Sequence, residues 1–213
     1  MNDEKYFQMC QYELEYAEKG ITVIGGIDEA GRGPLAGPVV AACVFFENNG
    51  SFVRADDSKK LSEAKRELLY DEIISNCVSW GVGIVDNNKI DEINILNATK
   101  LAMREACVKA ISKLPRLEIS KTAIFIDHVK LEDMPCDTLS ITHGDALSVS
   151  IAAASIIAKV TRDRMMVAYE DTYPGYGFAL HKGYGTKKHY DAIKTLGISN
   201  IHRKSFLKKF NGV

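Results

Sequence analysis

Residues 21–40 read ITVIGGIDEAGRGPLAGPVV, and this stretch limits the fold more than any other part of the chain. A run of β-formers climbs to Ile27 and ends in two adjacent carboxylates, Asp28 and Glu29. A turn follows at once, with Arg32 between Gly31 and Gly33, and a second apolar run, PVVAACVFF, occupies 38–46. The fold therefore has to accommodate a buried-looking strand that ends in paired negative charge and leaves through glycine.

The remaining pattern alternates between the two periods. A helix is expected over 3–18, with Phe7, Cys10, Leu14 and Tyr16 as its apolar positions, and the first strand over 21–28. The second strand spans 38–46 and stops at the turn NNGS. A helix over 61–75 starts from Ser62 as N-cap, and a third strand over 78–85 alternates. An amphipathic helix over 94–114 is closed by Pro115. Strands at 122–127, again ending in an acid, and at 138–142 precede a long helix over 146–171, whose small and apolar first half reads as buried. YPGYG breaks that helix, and a last one runs over 186–196. Strands first, then strands mixed with helices, give an α/β fold: a mixed sheet with helices on both faces and a small helical C-terminal extension. One domain is expected over 1–213, with its core at about 20–170 and the extension at about 171–213.

Composition sets the class. The chain is 46% hydrophobic and 26% charged, ordinary for a soluble globular protein. No apolar run approaches the ~18 residues of a membrane span, and MNDEKYFQMC lacks the apolar core of a signal peptide, so a cytoplasmic location without membrane contact is expected. Five cysteines, widely spaced and without C-x-x-C, read as reduced thiols. Net charge is −1, but residues 181–213 hold Lys182, Lys187, Lys188, Lys194, Arg203, Lys204, Lys208 and Lys209 against Asp191 alone. Such a surface can bind a polyanion or can be a solvated basic face.

Four acids sit where stability would not place them: Asp28 and Glu29, Asp127 at the end of AIFID, and Asp145 in THGDALS. Singly, each has an ordinary reading as a solvated strand end or, for Asp145, an N-cap. Together, strands of one sheet can bring them to a common edge, where like charges raise one another's pKa or require a cation. Oxygen ligands without an accompanying Cys or His pattern suit Mg²⁺ or Mn²⁺, and two such ions suit phosphodiester hydrolysis. Neighbouring strand residues point to opposite faces, so Asp28 and Glu29 share a site only if the backbone bends there. A dinucleotide-binding turn is disfavoured, because the glycine spacing is wrong and a strand, not a helix, follows.

At this point the sequence resembles the ribonuclease HII family, the type 2 ribonucleases H. GIDEAGRGPLAGPVV carries the first motif. DDSKKLSEAKR (56–66), EINILNATKLAM (92–103), GDALSVSIAAASIIAKVTRDR (144–164), YPGYGFALHKGYGTKKH (173–189) and HRKSF (202–206) follow in order. The resemblance implies a ribonuclease H-like fold and a site in which Asp28, Glu29, Asp127 and Asp145 bind two divalent ions, Mg²⁺ or Mn²⁺. It implies that Gly31, Arg32 and Gly33 present backbone groups to 2′-hydroxyls, which is what separates RNA from DNA. It further implies that Tyr184 packs on a sugar at the RNA-to-DNA junction and that Lys59 and Lys182 meet phosphates. The implied partners are RNA/DNA hybrids and DNA containing ribonucleotides, and a monomer is expected. The family often has Gly where this chain has His128, and Lys where it has His143. About 20 residues precede the first strand, too few for the N-terminal substrate-binding domain of the related ribonucleases HIII.

The remaining candidates read as structural. His181, His189 and His202 read as phosphate neighbours or surface histidines, Trp80 and the Met165/Met166 pair as core, and Asp163 as a partner of a nearby Arg or Lys. The expected activity is metal-dependent endonucleolytic cleavage of the RNA strand, leaving a 5′-phosphate and a 3′-hydroxyl. Its rivals are a four-carboxylate exonuclease and a hybrid-binding protein without chemistry.

Overall fold

The computed structural model describes residues 1–115 and 118–208; Lys209 of the basic C-terminal run lies outside them. Val23–Ala30 (β1), Val39–Glu47 (β2) and Ser79–Val85 (β3) form an antiparallel meander. Thr122–Asp127 (β4) pairs parallel with β1, and Asp137–Ile141 (β5) parallel with β4, giving the order β3-β2-β1-β4-β5.

The central strands are buried on both faces, which explains why β2 reads as a continuous apolar run. Its Ala42, Val44 and Phe46 join one cluster with Ile24 and Phe125, while Val39, Ala41, Cys43 and Phe45 join a second with Ile27, Ile124 and Ile126. Asp3–Met9 (α1), Gln11–Glu18 (α2) and Glu63–Asn76 (α3) contribute to the first cluster. Asn87–Ile93 (α4) and Ile95–Ile111 (α5) contribute to the second. The first face also receives Gly144–Leu147 (α6) and the long Val149–Thr172 (α7), whose Ile151, Ile156 and Ile157 are fully buried. Each such side chain is worth about 1.5–3 kcal/mol of burial. A Cβ on Gly26 would lie 2.0 Å from the Ser150 carbonyl, so a glycine in β1 is what lets α7 start this close to the sheet.

Phe178–His181 (α8), Lys187–Leu196 (α9) and Lys204–Leu207 (α10) complete the chain. Tyr176, Phe178, Ile193 and Ile201 pack with Met166 of α7 and with Leu35 and Ala36, which follow the glycine turn. The basic segment is thereby docked against that turn.

Several boundaries differ from the sequence reading, each for a local reason. β1 continues through Glu29 to Ala30, because its ladder with β2 runs on to Ala30↔Val40. The helix expected over 3–18 breaks at Cys10, which shifts its phase: Tyr6, Met9, Cys10 and Glu13 are buried, while Phe7 and Leu14 are exposed. The long helix breaks at Ser148, whose extended backbone and Oγ···H–N bond to Ile151 restart it as α7. Asn94, at φ 65°, separates α4 from α5 in the same way, its side chain accepting from Asn97 N–H. A serine or asparagine inside an apolar run is the sequence signal for such restarts. Ser62 caps α3 as expected. Among the described residues no helix is long and apolar enough to cross a membrane.

Candidate active site

The β1–β4 ladder ends at Ile27↔Ile126, three residues before the β1–β2 ladder does. The last residues of β1 therefore have one open edge, and a cleft of ≈ 200 Å³ lies there. Asp28, Glu29, Gly31, Arg32, Gly33, Lys59, Asp127 and Tyr184 line it, together with Ser58, Ser155 and Lys159. No bend in the strand was needed to bring Asp28 and Glu29 together. The open edge admits both, and the first left-handed residue, Gly31 at φ +96°, comes after the strand has ended.

Asp28 shares the α7 face of the sheet with Ile24 and Gly26 by strand alternation, and Asp127 shares it with Phe125. Asp28 Oδ1 accepts from the Glu29 N–H at 2.7 Å, and Asp127 Oδ1 accepts from the Gly144 N–H at 2.7 Å. The second bond ties the end of β4 to α6, which carries Asp145. Asp145 is buried, and its Oδ2 accepts from Lys59 Nζ at 2.9 Å. Glu29 Oε1 faces Arg32 Nη1 at 3.3 Å, while its Oε2 is buried without a hydrogen-bond partner.

Burial drives the electrostatics. It pushes the Asp28 carboxyl well above the usual range, helped by the charges of Glu29 and Asp127 and opposed by the Glu29 N–H. Burial likewise raises Glu29 against the pull of Arg32, and Asp127 against the Gly144 N–H. Lys59 is held above the usual lysine range: burial lowers it, but the hydrogen bond and charge of Asp145 prevail.

The donor set fits a hard divalent cation: oxygen only, mutually repelling, with one buried carboxylate oxygen unpartnered. Among the described residues no three such side chains enclose a common point as they stand. Lys59 and Arg32 occupy two of the carboxylates instead.

Tyr184 is 43% exposed and closes one side of the cleft, 3.8 Å from where a Cβ on Gly33 would lie. Lys182 does not reach the cleft. It is half-buried at φ 52°, and its ammonium turns back to the Ala179 carbonyl. Asp163 pairs with Lys159 at 2.8 Å and approaches Arg66 at 3.9 Å, as its sequence position suggested.

The histidines are not surface groups. His181, His189 and His202 are buried and in mutual contact: His181 stacks on His189, and His189 Nε2 lies 3.0 Å from His202 Nε2. One neutral assignment satisfies every ring nitrogen. His202 Nδ1 accepts from Ser199 N–H, its Nε2–H donates to His189 Nε2, and His189 Nδ1–H donates to the Tyr184 carbonyl. His181 accepts from Gly183 N–H and donates to the Tyr176 carbonyl. Burial lowers the pKa of His189 and of His202 to about 4. Arg203, counted with the basic run, is also buried.

Glu13 was not singled out in the sequence. It is buried in α2, and its Oε1 accepts from Ser148 Oγ (2.6 Å), Ser150 N–H (3.1 Å) and Ser150 Oγ (2.8 Å), pinning the joint between α6 and α7. An acid at an apolar phase of the first helix was its only signal.

The profile of the family "Ribonuclease HII" matches residues 25–209, and these include every element of the cleft. The chain belongs to the ribonuclease HII family. Ribonuclease HII of Acetivibrio thermocellus is 54% identical over 206 residues, covering 97% of this chain and 78% of that protein. Its counterpart in Clostridioides difficile is 51% identical over 197 residues, covering 92% and 74%. The chain is accordingly a ribonuclease H, a hydrolase that acts on RNA/DNA hybrids as an endonuclease. Among solved structures, ribonuclease H2 from Pyrococcus horikoshii superposes with a TM-score of 0.63 at 25% identity, over 86% of this chain and 93% of that one. Bst-RNase HIII, solved in complex with Mn²⁺, shares the fold with a TM-score of 0.67 at 20% identity, over 86% and 66%.

Proposed function

We propose that this ribonuclease HII cleaves the RNA strand of RNA/DNA hybrids, and ribonucleotides embedded in duplex DNA, leaving 5′-phosphate and 3′-hydroxyl ends. The observation that carries this reading is the convergence on one cleft of Asp28, Glu29, Asp127 and the Gly31–Arg32–Gly33 turn, with Asp145 joined to it through Lys59. Asp28, Glu29, Asp127 and Asp145 would hold two divalent ions, Mg²⁺ or Mn²⁺. Bound there, such ions activate water and stabilise the leaving oxygen. The Mn²⁺ complex of the Bst-RNase HIII relative supports that choice of metal.

The protein's own groups supply the rest. The turn has no side chain at Gly31 or Gly33, so its backbone can approach a ribose closely enough to read the 2′-hydroxyl. Tyr184 offers a ring for the next sugar. Lys59 is positioned to move from Asp145 to a phosphate when ions neutralise the carboxylates. Lys182 would meet a phosphate only by releasing its ammonium from the Ala179 carbonyl, since its backbone N–H and carbonyl are bonded to Phe178 and Arg162. Residues 1–213 act as one unit, cytoplasmic and monomeric, with the segment from 171 completing the substrate face.

The test is cleavage of three end-blocked duplexes: all-RNA/DNA, one embedded ribonucleotide, and all-DNA. Internal cuts in the first two, abolished by EDTA and restored by Mg²⁺ or Mn²⁺, are expected. No internal cutting would favour an exonuclease, and binding without any cleavage would leave a hybrid-binding protein.

A further inference from the structure

Beneath the glycine turn lie two buried guanidinium groups that the reaction does not use. Arg203 is fully buried and Arg162 nearly so. Among the described residues neither forms an ion pair. Every donor they use goes to a main-chain carbonyl. Arg203 donates from Nη2 to Gly31 O (2.6 Å) and Pro38 O (3.1 Å), from Nη1 to Arg32 O (3.0 Å) and from Nε to Gly37 O (3.0 Å). Arg162 donates from Nε to Pro38 O (3.0 Å), from Nη2 to Ala36 O (3.1 Å) and from Nη1 to Lys182 O (2.9 Å). Leaving a buried charge without a counter-charge is costly, so two together need a reason.

Peptide geometry supplies one. In a planar trans peptide the carbonyl and the following N–H point in opposite directions. With the carbonyls of Gly31 and Arg32 both drawn down to Arg203, the N–H groups of Arg32 and Gly33 must point away from it. Neither finds an acceptor among the described residues. One planar fork thus fixes two successive peptide planes, which a lysine's single ammonium cannot do. Arg162 makes a second connection. It lies directly under Gly31, where a Cβ would stand 2.1 Å from its Nε, and it bonds to the carbonyl of Lys182, two residues before Tyr184. Arg203 is itself set by α4, whose Asn87 side chain donates to the carbonyls of Asn200 and His202 and whose Asp91 accepts from the Lys204 and Ser205 amides.

We propose that Arg203 and Arg162 are positioning residues for ribose recognition. Arg203 turns the Arg32 and Gly33 amides toward the 2′-hydroxyl, and Arg162 holds that turn at a fixed spacing from the Tyr184 segment. The proposal deepens the reading above and rests on it.

The test uses the full chain with Arg203→Lys and Arg162→Lys, which keep charge and lose the fork. Binding to a duplex with one ribonucleotide and to the all-DNA duplex of the same sequence is measured in Ca²⁺. Arg203→Lys should lose roughly tenfold in affinity for the first, as expected for two hydrogen bonds, and little for the second. Arg162→Lys should keep that preference, but its kcat/KM should fall more on the single ribonucleotide than on a long hybrid. Equal weakening on both duplexes by Arg203→Lys, or a retained preference, overturns the role of Arg203. Equal kcat/KM losses in Arg162→Lys overturn the link to Tyr184, and that arm stands even if Arg203→Lys fails to fold. A wild-type chain with no preference for the ribonucleotide duplex would instead defeat the reading of the turn, and the proposal with it.

Discussion

The Lys59 ammonium donates to Asp145 Oδ2 over 2.9 Å, joining the short 3₁₀ turn at Ser58–Lys60 to α6 across the mouth of the cleft. Lys59 is largely exposed and Asp145 buried, so the lysine covers a carboxylate without being fixed itself. Lys59→Ala should therefore have opposite effects on the two ligands. Mn²⁺ affinity without nucleic acid should rise, because Asp145 is released. Hybrid affinity should fall, with the salt slope reduced by about 1 if one phosphate contact is lost. Calorimetric titration and salt-dependent binding check both. A lower Mn²⁺ affinity would contradict the counter-ion role.

Asp28→Asn should reduce cleavage at saturating Mg²⁺ by at least about a hundredfold, since even partners behind a metal's direct ligands cost 10–100-fold. The metal-free protein should gain stability. A carboxyl whose folded pKa is raised stabilises the fold at low pH and loses that contribution as pH rises through the folded value. At neutral pH the ionised cluster opposes folding, and asparagine removes part of the repulsion. Melting in EDTA should show Tm above wild type at pH 7, with the difference shrinking toward pH 4.

The buried histidines carry the opposite pH dependence. His189 and His202 are lowered to about 4 from an ordinary value near 6.5. The unfolded chain binds more protons in that window, so stability is fully present above about pH 6.5 and declines as pH falls to about 4, by up to ~1.4 kcal/mol per pH unit per group. The same protonation breaks the hydrogen bonds these rings accept, at His189 Nε2 from His202 and at His202 Nδ1 from the Ser199 N–H. Denaturant melts from pH 7.5 to 4.5 on wild type and His202→Asn should show a shallower decline in the variant.

The exposed lysines of α9 test the basic face. Lys187→Ala with Lys188→Ala should weaken binding similarly on every duplex, lowering the salt slope by about 1 for each phosphate contact removed. An unchanged slope would mean that this face is merely solvated.

Much of the fold was legible because local chemistry determines it. Alternation placed β3, continuous apolarity placed β2, and Ser62 marked the start of α3. Asp28, Glu29 and Asp127 stood out because their charge ends apolar runs, and the structure places all three in one cleft. What the sequence could not give is which main-chain and side-chain groups face one another. Arg203 counted as one more positive charge in a basic tail, and only docking of that tail against residues 31–38 made it a fork for two carbonyls. His189 and His202 read as phosphate neighbours or surface groups for the same reason, since burial depends on which segment covers which. Lys182 had the right residue type, yet a left-handed backbone turned its ammonium to Ala179. Asp28 and Glu29 needed no bend, because the β4 ladder stops one residue before them. Hydrophobic period and charge are properties of neighbours along the chain, so the sequence determined the elements and the carboxylates. The end of a strand pairing, the cover over a histidine and the carbonyls around an arginine arise between distant segments, and only the tertiary structure decided them.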